Sequence, residues 1–188
     1  ATALLIGIRS DTSRMVLAEP FDYRAAAFLS PAIDRDILKR VESQTRSRQT
    51  LDVIRKALDN MSMHGAFVMA GVETLRAAHK DAIPQSADFL LNVEGVESSF
   101  LYANVDGVIQ GSLRTKSDQI DPDSFLKQVF GKDETGRFYG GGRNHMGGFQ
   151  IPLGYLSRHA EGDDLWHLIK ESVEADVLRV LDPLVSER

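Results

Sequence analysis

Up to Asn60, apolar positions recur every three or four residues; beyond it they alternate or run together. The first pattern predicts helices, the second strands with helices between them. Ala1–Ile8 predicts a short buried helix running into a polar loop over 9–14. Phe21–Leu29, with three consecutive alanines, predicts a second helix. Asp34 is placed to cap a third, with Ile37, Leu38 and Val41 on its inner face. Ser47 or Thr50 starts a fourth, on which Leu51, Ile54, Leu58 and Met61 form the apolar stripe.

The texture then changes. Gly65–Gly71, an apolar run bounded by glycines, predicts a buried strand, and 82–91 returns to helical periodicity. Ser98–Val105 and Val108–Leu113 predict paired strands joined at Asp106-Gly107, a strong hairpin signal. Asp121-Pro122-Asp123 opens a short helix ending near Phe130. A strand over Phe149–Leu153 follows, then a helix from about Asp163 to Leu181 with Leu165, Ile169, Val173, Val177 and Leu181 on one stripe. The order predicts an α/β fold: a helical part over 1–60, then a mixed sheet with packed helices over 61–188.

Composition narrows the classes. At 188 residues, 43% hydrophobic and 26% charged, the chain can bury a core and is not a disordered segment. The absence of cysteine excludes disulfides, thiolate metal sites and cysteine nucleophiles, and suits a reducing cytoplasm. The opening apolar run is too short for a membrane span and lacks the basic leader of a signal peptide. A start at Ala1 in mid-pattern suggests an internal fragment. The net charge of −5 belongs to the stretch from Glu161 onward, with eight acids against three bases. The remainder is balanced, which excludes a broadly basic nucleic-acid face but leaves room for small phosphorylated ligands. The acidic tail reads as a solvated helix face. Its apolar stripe, with Trp166, reads as core packing, a homodimer seam being the other reading.

Tyr139–Phe149 is the most unusual stretch, with five glycines between 140 and 148. So many glycines imply positive φ or close approach of the backbone to something. The dinucleotide fingerprint does not fit, because His145 stands where its third glycine belongs, and no Lys-Ser or Lys-Thr completes a phosphate-binding P-loop. One reading is a nest of backbone N–H groups beside Arg143, Asn144 and His145, suited to a phosphate or a base edge. The other, of equal weight, is a tight turn where two segments pass closely.

In sequence order, Leu5-Ile6-Gly7-Ile8-Arg9-Ser10-Asp11-Thr12, Pro84–Leu91, Gly111-Ser112-Leu113-Arg114-Thr115 and Gly140–Phe149 resemble segments of one family. That family is the DHH phosphoesterases with their DHH-associated domain, which include nanoRNases, pAp phosphatases, cyclic dinucleotide phosphodiesterases and RecJ exonucleases. Arg143 stands where the family's glycine-triplet motif has His, and His145 where it has Asn. No Asp-His-His triplet occurs.

The resemblance implies that 1–60 is the end of a catalytic domain and 61–188 a substrate-binding domain. It implies substrate contacts at Arg114, Gly140, Gly141, Gly142, Arg143, Asn144 and His145, and a metal ligand at Asp11. The chemistry implied is manganese-dependent, two-metal hydrolysis of phosphate esters in short oligonucleotides or small nucleotides. One carboxylate cannot hold two cations, so the other ligands are expected upstream of residue 1. No catalytic residue is assigned to this chain, which alone is expected to be inactive, cytoplasmic and without a membrane partner. A non-catalytic nucleotide- or nucleic-acid-binding module and a polyphosphate hydrolase remain as alternatives.

Overall fold

Three helices open the chain, the second and third of them capped at their N-termini. α1 (Thr2–Asp11), α2 (Pro20–Leu29) and α3 (Arg35–Glu42) follow one another closely, with a 3₁₀ turn over Ser30–Ala32. Glu19 and Asp22 form a reciprocal capping box at the start of α2. Asp34 caps α3 as expected, its Oδ1 accepting from the N–H groups of Asp36 and Ile37. The computed structural model describes residues 1–12, 14–42, 47–159 and 163–186, so position 13 of the expected loop lies outside the described residues. The chain divides into two compact units, Ala1–Arg46 and Ser47–Arg188.

Within the first unit, two sequence expectations fail. α1 is a helix but not a buried one, since only Leu5 of its residues is buried. Ile37 and Val41 of α3 are both exposed. A piece of this size has too little chain to enclose three helices.

The second unit is built on a six-stranded sheet in the order β1-β2-β3-β4-β6-β5. Its strands are β1 (Ser62–His64), β2 (Phe67–Leu75), β3 (Ser98–Val105), β4 (Val108–Thr115), β5 (Gly140–Arg143) and β6 (Met146–Pro152). Only β2 and β3 run parallel, and α5 (Ala82–Leu90) makes the crossover that such a pair needs. The expected hairpin turn is present, with Asp106 and Gly107 at φ 47° and 83°.

Each face of the sheet carries its own core. On one, Phe67, Phe100, Tyr102 and Phe149 pack beneath α6 (Pro122–Phe130) and α7 (Asp163–Ser186). The expected stripe of α7, from Leu165 to Leu181, is buried there. Gly71 makes room for Trp166, because a Cβ at that position would lie 2.8 Å from the indole Cζ2. Tyr102 stacks on Trp166 and donates its hydroxyl to Glu174; burial first, then that carboxylate, pushes the phenol far above its ordinary pKa.

On the other face, Val68, Ala70, Leu101 and Ala103 pack beneath α4 (Arg48–Asn60) and α5. Ser47 caps α4 by accepting from the Thr50 N–H. The buried face of α4 is Thr50, Val53, Ile54 and Ala57, while Leu51, Leu58 and Met61 are exposed. The expected stripe is therefore rotated. Of that stripe Ile54 alone faces inward, in company with Thr50, Val53 and Ala57.

Three aspartates fasten the segment between β4 and β5. Asp121 Oδ2 caps α6 by accepting from the Ser124 N–H. Asp123 accepts from Lys127 Nζ at 2.6 Å and from the Gly142 N–H at 3.1 Å. Asp133 accepts from the hydroxyl and N–H of Thr135 and from the Arg137 N–H. Hydrogen bonds from Ser124, from Lys127 and Gly142, and from Thr135 and Arg137 respectively hold the three carboxyls below the ordinary aspartate range. A depressed folded-state pKa adds stability above the unfolded value, near pH 4, and that stability disappears as pH falls through the folded value. Denaturant titration is thus expected to show stability declining as the pH falls below about 4. Asp123→Asn should flatten part of that decline; an unchanged pH profile would show that Asp123 does not contribute.

Candidate functional site

α4 and α5 cover β2, β3 and the near edge of β4, leaving the same face of β4, β6 and β5 open. Side chains alternate along a strand, and laterally paired residues share a face. The open face therefore carries Val108, Gln110, Ser112 and Arg114 of β4 opposite Pro152, Gln150, Gly148 and Met146 of β6. β5 adds Gly141 and Arg143. With no side chain at Gly141 or Gly148, the floor is low. A groove of about 950 Å³ results, walled on one side by Lys80, Ile83 and Pro84 and on the other by Arg137, Phe138 and Tyr139.

Arg114 is the best-anchored charge in this groove. Its Nε donates to Asp88 of α5 at 2.7 Å, and its Nη1 donates to Ser112 Oγ at 2.7 Å and to the Leu113 carbonyl at 3.1 Å. Its side chain is 17% exposed. Among the described residues, nothing hydrogen-bonds its Nη2, so the guanidinium is oriented while part of its donor fork stays available.

The glycine-rich stretch is not a nest. Gly140–Arg143 and Met146–Pro152 are the strands of a hairpin turning at Asn144 and His145. None of its five glycines has positive φ; the left-handed residue is Asn144, at 49°. Close approach accounts for three of them instead. A Cβ on Gly140 would lie 2.9 Å from Phe149 Cβ and 3.0 Å from Leu126 Cβ. On Gly142 it would lie 2.7 Å from the Met146 carbonyl and 2.8 Å from Pro122 Cβ, and on Gly147 2.6 Å from Leu126 Cδ1. Helix α6 rests directly on this ribbon.

The residues singled out from sequence are thus only partly brought together. Arg114, Gly140 and Gly141 line the groove. Gly142 faces α6, its N–H taken by Asp123. Arg143 shares a cross-strand row with Met146 and Arg114, two strand spacings from the latter. Asn144 and His145 are exposed at the turn, where the His145 carbonyl accepts from the Thr115 N–H. Asp11 is the exposed last residue of α1, in the first unit. Among the described residues, no three His, Cys, Asp or Glu come together as a metal site, so the donors present do not fit a manganese pair. Also among them, no helix is long and apolar enough to cross a membrane.

Several lining residues went unnoticed in the sequence: Lys80, Gln110, Arg137, Phe138, Tyr139 and Gln150. Period-two alternation from Arg114 through the legible hairpin would have found Gln110 and Ser112. Gln150 is the cross-strand neighbour of Gln110 on β6, and Lys80, Arg137, Phe138 and Tyr139 come from loops with no local signature.

No family model matches the chain. An uncharacterized protein of Methanocaldococcus jannaschii is 33% identical over 183 residues, 96% of this chain and 36% of its own length. Among solved structures, an exopolyphosphatase-related protein from Bacteroides fragilis superposes with a TM-score of 0.59 at 16% identity, over 92% of this chain and 49% of that one. The two share a fold. RecJ from Thermus thermophilus overlaps less well, with a TM-score of 0.43 at 16% identity, over 93% of this chain and 23% of that one. The chain therefore spans about a third of the curated relative and about half of the Bacteroides structure.

The two classes of glycine make separable predictions. Gly142→Ala should destabilise the fold by about 1–3 kcal/mol, because a backbone carbonyl and Pro122 stand in the way. Gly148→Ala meets only the Gly111 carbonyl, at 3.4 Å, and should change stability by no more than about 0.5 kcal/mol. Chemical denaturation of both variants distinguishes this from a common effect of glycine loss.

Proposed function

We propose that this chain is the substrate-holding part of a DHH-type phosphoesterase, and that its groove binds the phosphate of a short oligonucleotide or small nucleotide. One observation carries the reading: Arg114, fixed by Asp88 and Ser112, stands at the end of an open, glycine-floored groove. A guanidinium held in this way matches phosphate oxygens in geometry and charge. The low floor lets a ligand lie against backbone and the flat faces of amides. The fold shared with an exopolyphosphatase-related protein supports the same class of chemistry, and that name keeps polyphosphate as a second reading.

In the longer protein, hydrolysis would use manganese, with Asp11 offered by this chain as one ligand among others. Manganese there would supply Lewis-acid and water-activating chemistry, with its other ligands coming from outside the described residues. The part played here by Arg114 and the groove is binding and orientation.

A charge-assisted hydrogen bond of this type contributes about 1.5–3 kcal/mol. Arg114→Ala is therefore expected to weaken binding of adenosine 3′,5′-bisphosphate at least tenfold in calorimetric titration, with the unfolding midpoint little changed. Equal affinity in the variant would remove the groove from phosphate recognition.

A further inference from the structure

The end of the groove opposite Arg114 is built from different parts. Along β4, Arg114 and Val108 are six residues apart, about 20 Å at strand spacing. The Ala77 N–H donates to Asp106, which brings the turn carrying Lys80, just before α5, to the Val108 end. The Tyr139 carbonyl accepts from the Gln150 N–H, which brings the loop carrying Arg137, just before β5, toward the same end, and both side chains line the groove. Among the described residues, neither side chain forms an ion pair or a hydrogen bond, although both line the groove. Asp133, the acid lining this end, is already engaged by Thr135 and the Arg137 N–H.

The loop carrying Arg137 is well anchored. Asp133 ties its two sides together, Lys132 and Phe138 form a β-bridge, and the ammonium groups of Lys127 and Lys132 lie 5.1 and 4.5 Å from the Phe138 ring centroid. Arg137 is thus presented to the groove by a braced turn, its backbone fixed and its guanidinium near the Asp133 carboxylate, whose charge it feels, without a hydrogen bond to it.

Between the two cationic ends lies a neutral middle. Gln110 and Gln150 face each other across β4 and β6, and Tyr139 pairs with Gln150 on its other side. Among the described residues, neither glutamine amide makes a side-chain hydrogen bond. Two amides and a phenol ring suit the edge and face of a heterocycle better than a further phosphate, which would find no cation there.

We infer that Lys80 and Arg137 form a second anion subsite, so that the groove takes a ligand with phosphates at both ends and a planar polar ring between them. This rests on the function proposed above and adds to it a requirement for length. A mononucleotide reaches one end. A di- or trinucleotide engages both.

The test titrates the chain with AMP, pApApA and tripolyphosphate. Wild type is expected to bind pApApA at least tenfold more tightly than AMP. The double variant Lys80→Ala/Arg137→Ala should keep the AMP affinity while its preference for the longer ligand falls below threefold. Its log–log salt slope for pApApA should become shallower by roughly 1.4, the value for two single-strand phosphate contacts. Retention of the length preference by the double variant, or its absence from wild type, would overturn the second subsite. Tripolyphosphate binding as tightly as pApApA would overturn the ring-reading middle. Failure of the parent reading appears elsewhere, as AMP or bisphosphate binding indifferent to Arg114→Ala. Circular dichroism with thermal melting confirms that the variants are folded, and both replaced side chains are exposed.

Discussion

The contact on which the groove depends is the approach of α6 to the β5–β6 ribbon. Pro122 and Leu126 lie so close to Gly140, Gly142 and Gly147 that no side chain fits between helix and strand. Asp123 then closes the contact with a hydrogen bond from the Gly142 N–H. A ribbon pinned this tightly on one face needs no covering layer on the other to hold its position. Phe149 reinforces it, stacking on Phe130 at 4.2 Å and on Phe100 at 5.4 Å. Half a sheet can therefore stay open to solvent without the register slipping.

Topology decides which half. The single parallel pair requires a crossover, and α5 supplies it over β3 and the near edge of β4. The remaining strands are joined by hairpins or enter at the edge, so no helix is carried over them on that side. The groove lies at the step where the helical layer stops. Asp88 of α5 and Arg114 of β4 bridge the step, linking the covering helix to the open strand. A largely buried guanidinium needs such a partner, because an uncompensated charge at this depth would be costly. The bond that satisfies Arg114 also aims it.

Much of this architecture is legible locally. Asp106-Gly107 forces a hairpin, Asp121-Pro122 begins a helix with a cap and a fixed φ, and the stripe of α7 declares its buried face. The fold class follows from their order. The glycine ribbon is harder to read, because strands reveal themselves through side chains on alternating faces and this one has almost none. Its glycines look like a loop when read alone; only the arrival of α6 makes them strand. The stripe on α4 fails for a related reason. Size suggests Leu51 and Leu58 for the interior, whereas the face that packs in carries Val53, Ile54 and Ala57. Of the groove lining, Arg114, Gly140 and Gly141 belong to the motifs singled out in the sequence, whereas Lys80 and Arg137 line the same groove only through the fold.

The placement of charge completes the picture. The chain carries a net −5, yet its excess acid lies from Glu161 onward, mostly on α7. That helix packs against the Phe100 and Tyr102 face of the sheet, opposite the groove. The sheet lies between the two, and exposed acids of that helix such as Asp164 and Glu171 are screened by solvent, which at physiological salt acts beyond roughly 8 Å. On the function proposed above, Arg114, Lys80 and Arg137 would meet a ligand with little opposition from the tail, while the acidic exterior would discourage nonspecific association with long nucleic acids. An acidic protein with a locally cationic groove is suited to short anions that fit within it. Binding is then decided by what the groove can enclose rather than by the charge of the whole molecule.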